Sequence, residues 1–206
     1  MKILVIGATG TIGRAVADAL SGRHAVIKVG HRRGDHHVDL ASPDSIKALY
    51  RAIGSFDAVV CAAGLAHFGP LAELTERDFL LGLSNKLMGQ VNLVLAGLPV
   101  ITDRGSFTLT SGVLSMEPMA GGAAISPVNA AVEGFVRAAA LEMPRGVRIN
   151  VVSPPWVKET MEAMGMDSST GQPAASVAKA YVAAVDGTMT GAVIDARTFA
   201  GRGAGS

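Results

Sequence analysis

The chain has 206 residues, a formal net charge of +1, and 49% hydrophobic against 17% charged residues. That length suits one domain with a full core. The composition excludes a disordered or fibrous chain, and the near-neutral charge gives no footing for nucleic acid or an anionic membrane surface. A single cysteine, Cys61, rules out an internal disulfide framework and fits a reducing compartment. The opening MKILVIGATG has too short an apolar run for a signal peptide. No charge-free stretch escapes Pro, Gly, Ser or Asn for long enough to span a bilayer. The expectation is a cytoplasmic protein with no membrane partner.

In chain order, apolar runs predict strands at 3–6 (ILVI), 25–29 (AVIKV), 58–60 (AVV), 106–110 (SFTLT), 148–152 (RINVV) and 192–195 (AVID). Helical patterns lie between them near 12–20, 43–53, 77–97, 126–143 and 175–186. Ser42 and Pro43 give the second helix an N-cap and a first-turn proline. Alternating strands and helices, with the strands apolar throughout, call for a parallel sheet covered on both faces. The GRGAGS tail (201–206) is expected to fray.

The first strand runs straight into GATGTIG (7–13) and then the helix IGRAVADAL. Gly7 permits the turn, Gly10 lets the backbone approach a pyrophosphate, and Gly13 packs helix on strand. Amides around Thr9, Thr11 and Ile12 meet phosphate charge at the helix N-terminus. The sequence therefore predicts a single α/β Rossmann domain over 1–206, a doubly wound parallel sheet of about seven strands flanked by helices, binding a dinucleotide. Its substrate site is expected in the C-terminal half. After the second strand, VGHRRGDHHVDL (29–40) offers His31, Arg32 and Arg33 where an NAD-preferring domain usually has a carboxylate for the ribose 2′-hydroxyl. Guanidinium groups suit a 2′-phosphate, which favours NADP(H) over NAD(H). The other reading of this segment is a solvated basic loop. Asp35, His36 and His37 lack a third ligand at usable spacing and are read as surface loop residues, not a metal site.

Further segments follow in a telling order: CAAG (61–64), LTSG (109–112), AAVEGFVRAAALEM (130–143), RINVVSPPWVKETM (148–161) and TGAVIDA (190–196). On these the chain resembles the short-chain dehydrogenase/reductase family nearly end to end. The resemblance implies cofactor contacts from Asp39 and Leu40 near adenine, from Ala62, Ala63 and Gly64, and from Pro154 and Val157. It makes Ser111 the serine that polarises a substrate carbonyl. It also implies a homodimer or homotetramer built on the long helices near 77–97 and 126–143, whose Ala-, Leu- and Gly-rich faces permit close packing; those faces otherwise serve only the core.

The departures concern the reactive end. Alignment on AAVEGF puts Ile125 where the family's catalytic tyrosine belongs and Asn129 where its lysine belongs. The only tyrosines are Tyr50 and Tyr181, and the residues four further on are Gly54 and Val185, so no shifted pair exists. In SNKLMGQVN (84–92), Lys86 falls at the family's asparagine position, with Asn85 one residue away and able to replace it through a helix irregularity. Lys and Asn have exchanged places on this register. Pro155 stands at a glycine position, and Glu159 at that of a nicotinamide-contacting threonine, with Thr160 next. Two replacements for the proton donor are read: Lys86, if burial lowers its pKa, and His67, on a loop that borders the substrate pocket in the family. Against them stand a snorkelling Lys86 and a surface His67. Asn129 retains a hydrogen bond to the nicotinamide ribose. Two functions follow: an NADP(H)-dependent oxidoreductase acting on a small carbonyl or alcohol with a rebuilt acid site, or a non-catalytic NADP(H)-binding sensor or scaffold.

Overall fold

Along the first strand Ile3 and Val5 face one way and Leu4 and Ile6 the other, and each pair enters a different core. The same alternation separates Ala58 and Val60 from Val59 and Cys61, and Val152 from Ile149 and Val151. It is the two-residue period of a strand buried on both sides. The computed structural model describes residues 1–200, so the tail at 201–206 lies outside the described residues. Seven strands, β1 (Lys2–Ile6), β2 (Ala25–Gly30), β3 (His36–His37), β4 (Phe56–Cys61), β5 (Ile101–Thr110), β6 (Arg148–Ser153) and β7 (Val193–Asp195), make one sheet in the order β3-β2-β1-β4-β5-β6-β7. Every pairing is parallel.

Helices α1 (Thr11–Ser21) and α7 (Ala174–Asp186) cover one face through Val16, Leu20, Val177 and Tyr181. The other face carries α2 (Pro43–Ile53), α4 (Met88–Gly97) and α5 (Ser126–Ala139) through Ile46, Leu49, Leu93, Val132 and Val136. Short helices α3 (Glu76–Gly82) and α6 (Lys158–Ala163) sit at the ends of the connections. The Ser42 hydroxyl accepts from the Ser45 amide at 3.2 Å, with Pro43 in the first turn, so α2 begins where its capping residues require.

Four details depart from the sequence expectation. His36 and His37 are not loop residues but a two-residue edge strand, paired with Val29 and Gly30. β5 starts five residues early, because Ile101 pairs with Phe56 before a register shift, with Arg104 at φ 60°; this bulged entry hides the strand pattern. The helix expected over 77–97 contains a π-helical stretch, Leu83–Leu87, between α3 and α4. By length and composition Glu76–Gly97 would suffice to cross a bilayer, yet its inward residues Lys86, Gln90, Leu93 and Val94 are buried in the domain. Finally, α5 stops at Ala139 and not near 143, since Met143 before Pro144 takes an extended conformation.

The α1–sheet junction depends on a missing side chain. A Cβ on Gly13 would lie 2.0 Å from the Gly7 carbonyl oxygen, whereas one on Gly22, at the helix end with φ −69°, would meet nothing within 4 Å. Gly13→Ala is expected to lower stability by about 1–3 kcal/mol in urea unfolding. Gly22→Ala should leave it unchanged or slightly raised.

Candidate functional site

The strand order reverses between β1 and β4, and a crevice opens there beyond the strands' C-terminal ends. Two cavities occupy it, of about 300 and 320 Å³, and they share Ala63 and Gly64. The outer cavity, beside the β2 end, is lined by Gly7, His31, Asp39 and Leu40. The inner one includes Ile12, Ala62, Pro154 and Val157. Between them α1 starts at Gly10 with no side-chain cap and no acidic residue in its first turn. Among the described residues, the amides of Thr9, Thr11, Ile12 and Gly13 have no hydrogen-bond acceptor. Free amides on a helix N-terminus are a site for phosphate. Arg32 and Arg33 are exposed beyond β2, and neither makes an ion pair with a described residue. The crevice thus suits a dinucleotide: a recess beside the β2 end, a phosphate-ready turn and an inner cavity for the reacting end.

At the inner end the π stretch turns Lys86 inward. Its side chain packs under Gly64, where any Cβ would come within 2.7 Å of Lys86 Cγ; Gly64 also holds φ +146°. Lys86 Nζ donates to the Ser111 carbonyl at 2.9 Å and to Asn129 Oδ1 at 2.6 Å. The exchanged Lys and Asn therefore meet directly. An ammonium has three donors, so these two acceptors leave one to spare among the described residues, and Lys86 is one of the residues lining the inner cavity. Burial lowers the Lys86 pKa to about 8, against a smaller opposing pull from Cys61, whose own thiol is pushed up to about 12 by burial. Asn129 Nδ2 donates to the Gly112 carbonyl at 3.3 Å.

Ser111 also lines the cavity, but its hydroxyl donates to Glu133 Oε1 at 3.0 Å. The same oxygen accepts from Ser115 Oγ at 2.6 Å. Glu133 went unnoticed in the sequence, where AAVEGF reads as a plain amphipathic helix. Its signal was there: an acid one turn after Asn129, between the core residues Val132 and Val136.

The structure does not bring His67 to the site. Its Nδ1 lies 3.4 Å from Asp78 Oδ1, the carboxylate of the α3 capping box, and it does not line the inner cavity. That contact at the surface places the imidazole outside the inner cavity. Asn85, despite the helix irregularity, stays out as well: its Oδ1 accepts from the Leu65 amide at 2.8 Å. Glu159 turns away and accepts from the Ala174 amide at the start of α7, leaving Thr160 to line the cavity. Ile125 occupies the tyrosine position on the cavity wall. Tyr50 donates to the Leu93 carbonyl and Tyr181 bonds Thr110 Oγ1, both in the core, where burial raises both phenol pKa values. At the rim, Trp156 packs edge-on against Phe68, ring centroids 5.7 Å apart, and its Nε1 donates to Met119 Sδ at 3.3 Å. No cluster of metal-ligating side chains exists among the described residues.

A lysine with a depressed folded-state pKa penalises the folded chain while it is charged. That penalty is full below about 8 and disappears as pH rises towards the ordinary lysine value of about 10.4. The urea midpoint of the wild type, relative to Lys86→Met, should therefore rise between pH 8 and about 10.4 and be flat below pH 7. Parallel pH profiles for the two proteins would contradict the buried ammonium.

Residues 15–190 match the family model described as enoyl-(acyl carrier protein) reductase. The chain is similar to the protein lin1944 from Listeria innocua, at 44% identity and TM-score 0.91, over 95% of this chain and 98% of that one. It is similar to a small-chain dehydrogenase solved in complex with NADPH, at 27% identity and TM-score 0.83, over 95% of each chain. An uncharacterized oxidoreductase of Mycobacterium tuberculosis, Rv1714, is 28% identical over 74% of this chain, which spans 66% of that relative's length. With the family model matched over most of its length and a seven-stranded parallel sheet of this order, the chain belongs to the short-chain dehydrogenase/reductase family of oxidoreductases.

Proposed function

We propose that the protein is an NADP(H)-dependent oxidoreductase of a small carbonyl or alcohol, with Lys86 as the proton donor in place of the family's tyrosine. The observation that carries this reading is the Lys86 ammonium at the inner cavity, held by two neutral acceptors with one N–H to spare. In favour of NADP(H) stand Arg32 and Arg33 beyond β2, exposed and with no ion-pair partner among the described residues, and the relative solved with NADPH. A reduced nicotinamide cofactor held by the amides of Thr9, Thr11, Ile12 and Gly13, with Arg32 and Arg33 at its far end, would supply the hydride for the carbonyl carbon. Lys86 gives its proton to the carbonyl oxygen, becomes a neutral amine, and is reprotonated by water. A donor with a pKa of about 8 is matched to that task near neutral pH. The Ser111 carbonyl and Asn129 keep the amine in place through the cycle. The same reading pairs the chain with a second copy through the helical segment Glu76–Gly97 and α5, and the exposed Leu83, Met88 and Leu95 on the first of these support it.

The test is reduction of a panel of small ketones and aldehydes by NADPH in a stopped-flow spectrometer. Turnover is expected, with Lys86→Ala lowering kcat by about 100-fold or more. Tight NADPH binding without turnover of any compound would instead favour the sensor or scaffold. For cofactor choice, the double variant Arg32→Ala, Arg33→Ala should weaken NADPH at least about tenfold more than NADH in fluorescence titration. Equal weakening would refute the 2′-phosphate contact.

A further inference from the structure

We propose that the inner cavity binds a small apolar monocarboxylate, paired with the Lys86 ammonium. Among the residues that line this cavity Lys86 has the only ionisable side chain, and no acid stands with it. Lys86 makes no ion pair with a described residue. Its Nζ donates to the Ser111 carbonyl and Asn129 Oδ1, both neutral, and both of those residues line the same cavity. The titratable groups packed around this point leave its charge standing. Cys61, at the end of β4, has its thiol pushed up to about 12 by burial and stays neutral. Tyr181, bonded to Thr110, has a phenol pKa raised by burial and is neutral too. Glu133 on α5 gives Oε1 to the hydroxyls of Ser111 and Ser115, and its Oε2 lies 3.5 Å from Arg137 Nη2.

A buried charge without a counter-ion is costly, and an anion brought beside it in a low-dielectric cavity recovers part of that cost. A carboxylate suits the groups present, because it only accepts. The lining offers it the spare N–H of Lys86, the second amide N–H of Asn129 and the Thr160 hydroxyl. A second negative charge would find no cation among the lining residues, so the ligand carries one. The walls supplied by Val113, Leu114, Ile125, Pro155 and Trp156 are apolar, so the rest of the ligand is hydrocarbon. A cavity of about 300 Å³ limits that part to a few carbons. Binding needs no turnover, so this inference goes beyond the proposed function. Where both hold, the carboxylate competes with the substrate's carbonyl oxygen for the same N–H and inhibits reduction.

Butyrate and butyramide have nearly the same shape and differ in charge. Each can be titrated by ligand-observed NMR into the full-length protein without added cofactor. At pH 7 butyrate is expected to bind at least about tenfold more tightly, the worth of one charge-assisted hydrogen bond. Its affinity should fall about tenfold between pH 7 and pH 9, as the lysine loses its proton near pH 8, while that of butyramide stays level. At pH 9 butyrate should draw a proton onto the protein, read as a rise in pH of a weakly buffered solution; this measurement needs no variant. Lys86→Met should bring butyrate down to the level of butyramide. Equal binding of the two compounds at pH 7, or a butyrate affinity that stays constant from pH 7 to pH 9 as fixed arginine charges would make it, would overturn the inference. Ketone reduction by NADPH with no butyrate binding would overturn it alone. Butyrate binding in a protein that takes up no NADPH would overturn the proposed function alone.

Discussion

The Lys86 ammonium, bonded to the Ser111 carbonyl and the Asn129 amide, ties the π stretch, the end of β5 and the first turns of α5 to one point. A buried cation without a counter-ion is costly, and it persists only where dipoles replace its water. Each partner is fixed in turn. Asn129 is held by its bond to Gly112, and Ser111 by its amide bond to Val152 and its hydroxyl bond to Glu133. Removal of the lysine would orphan a buried carbonyl and a buried amide oxygen together, so this pin is structural as well as chemical.

The two ends of the crevice are built by different means. Around the β1–α1 turn the work belongs to backbone: glycines that admit close contact and amides with no partner among the described residues. That arrangement tolerates much change in side chains. The inner end depends on side chains in specific positions, Lys86 against Asn129 and Glu133 against Ser111, and there the chain departs most from the pattern of its family. A phosphate cradle made of peptide groups and a reactive centre made of side chains can diverge independently on one scaffold.

The difference in construction also explains what was legible in the sequence. Glycine spacing at 7, 10 and 13, together with strands apolar on both faces, announced the parallel sheet and its crevice, because steric limits act locally. The swap of Lys86 and Asn129 was visible as an alignment oddity; that the two touch is a tertiary fact no spacing states. Glu133 was hidden by its helix, since an acid among apolar residues reads as surface until its partners Ser111 and Ser115, just past the end of β5, are known. His67 erred the other way. Its loop position suggested the pocket, but a carboxylate eleven residues later, already fixed by helix capping, draws it outside. β3 was missed because two histidines have no strand signature and pair only through their backbone with β2.

The rim stack has a practical consequence. Trp156 is the chain's one tryptophan, and it stands at the mouth of the inner cavity, while Tyr50 and Tyr181 are sealed in the core. Indole emission from this protein thus comes from a single known place, set between a thioether and a phenyl ring. A molecule seated against that wall of the cavity would change the surroundings of this one fluorophore, so indole emission offers a gauge of occupancy with no attached dye.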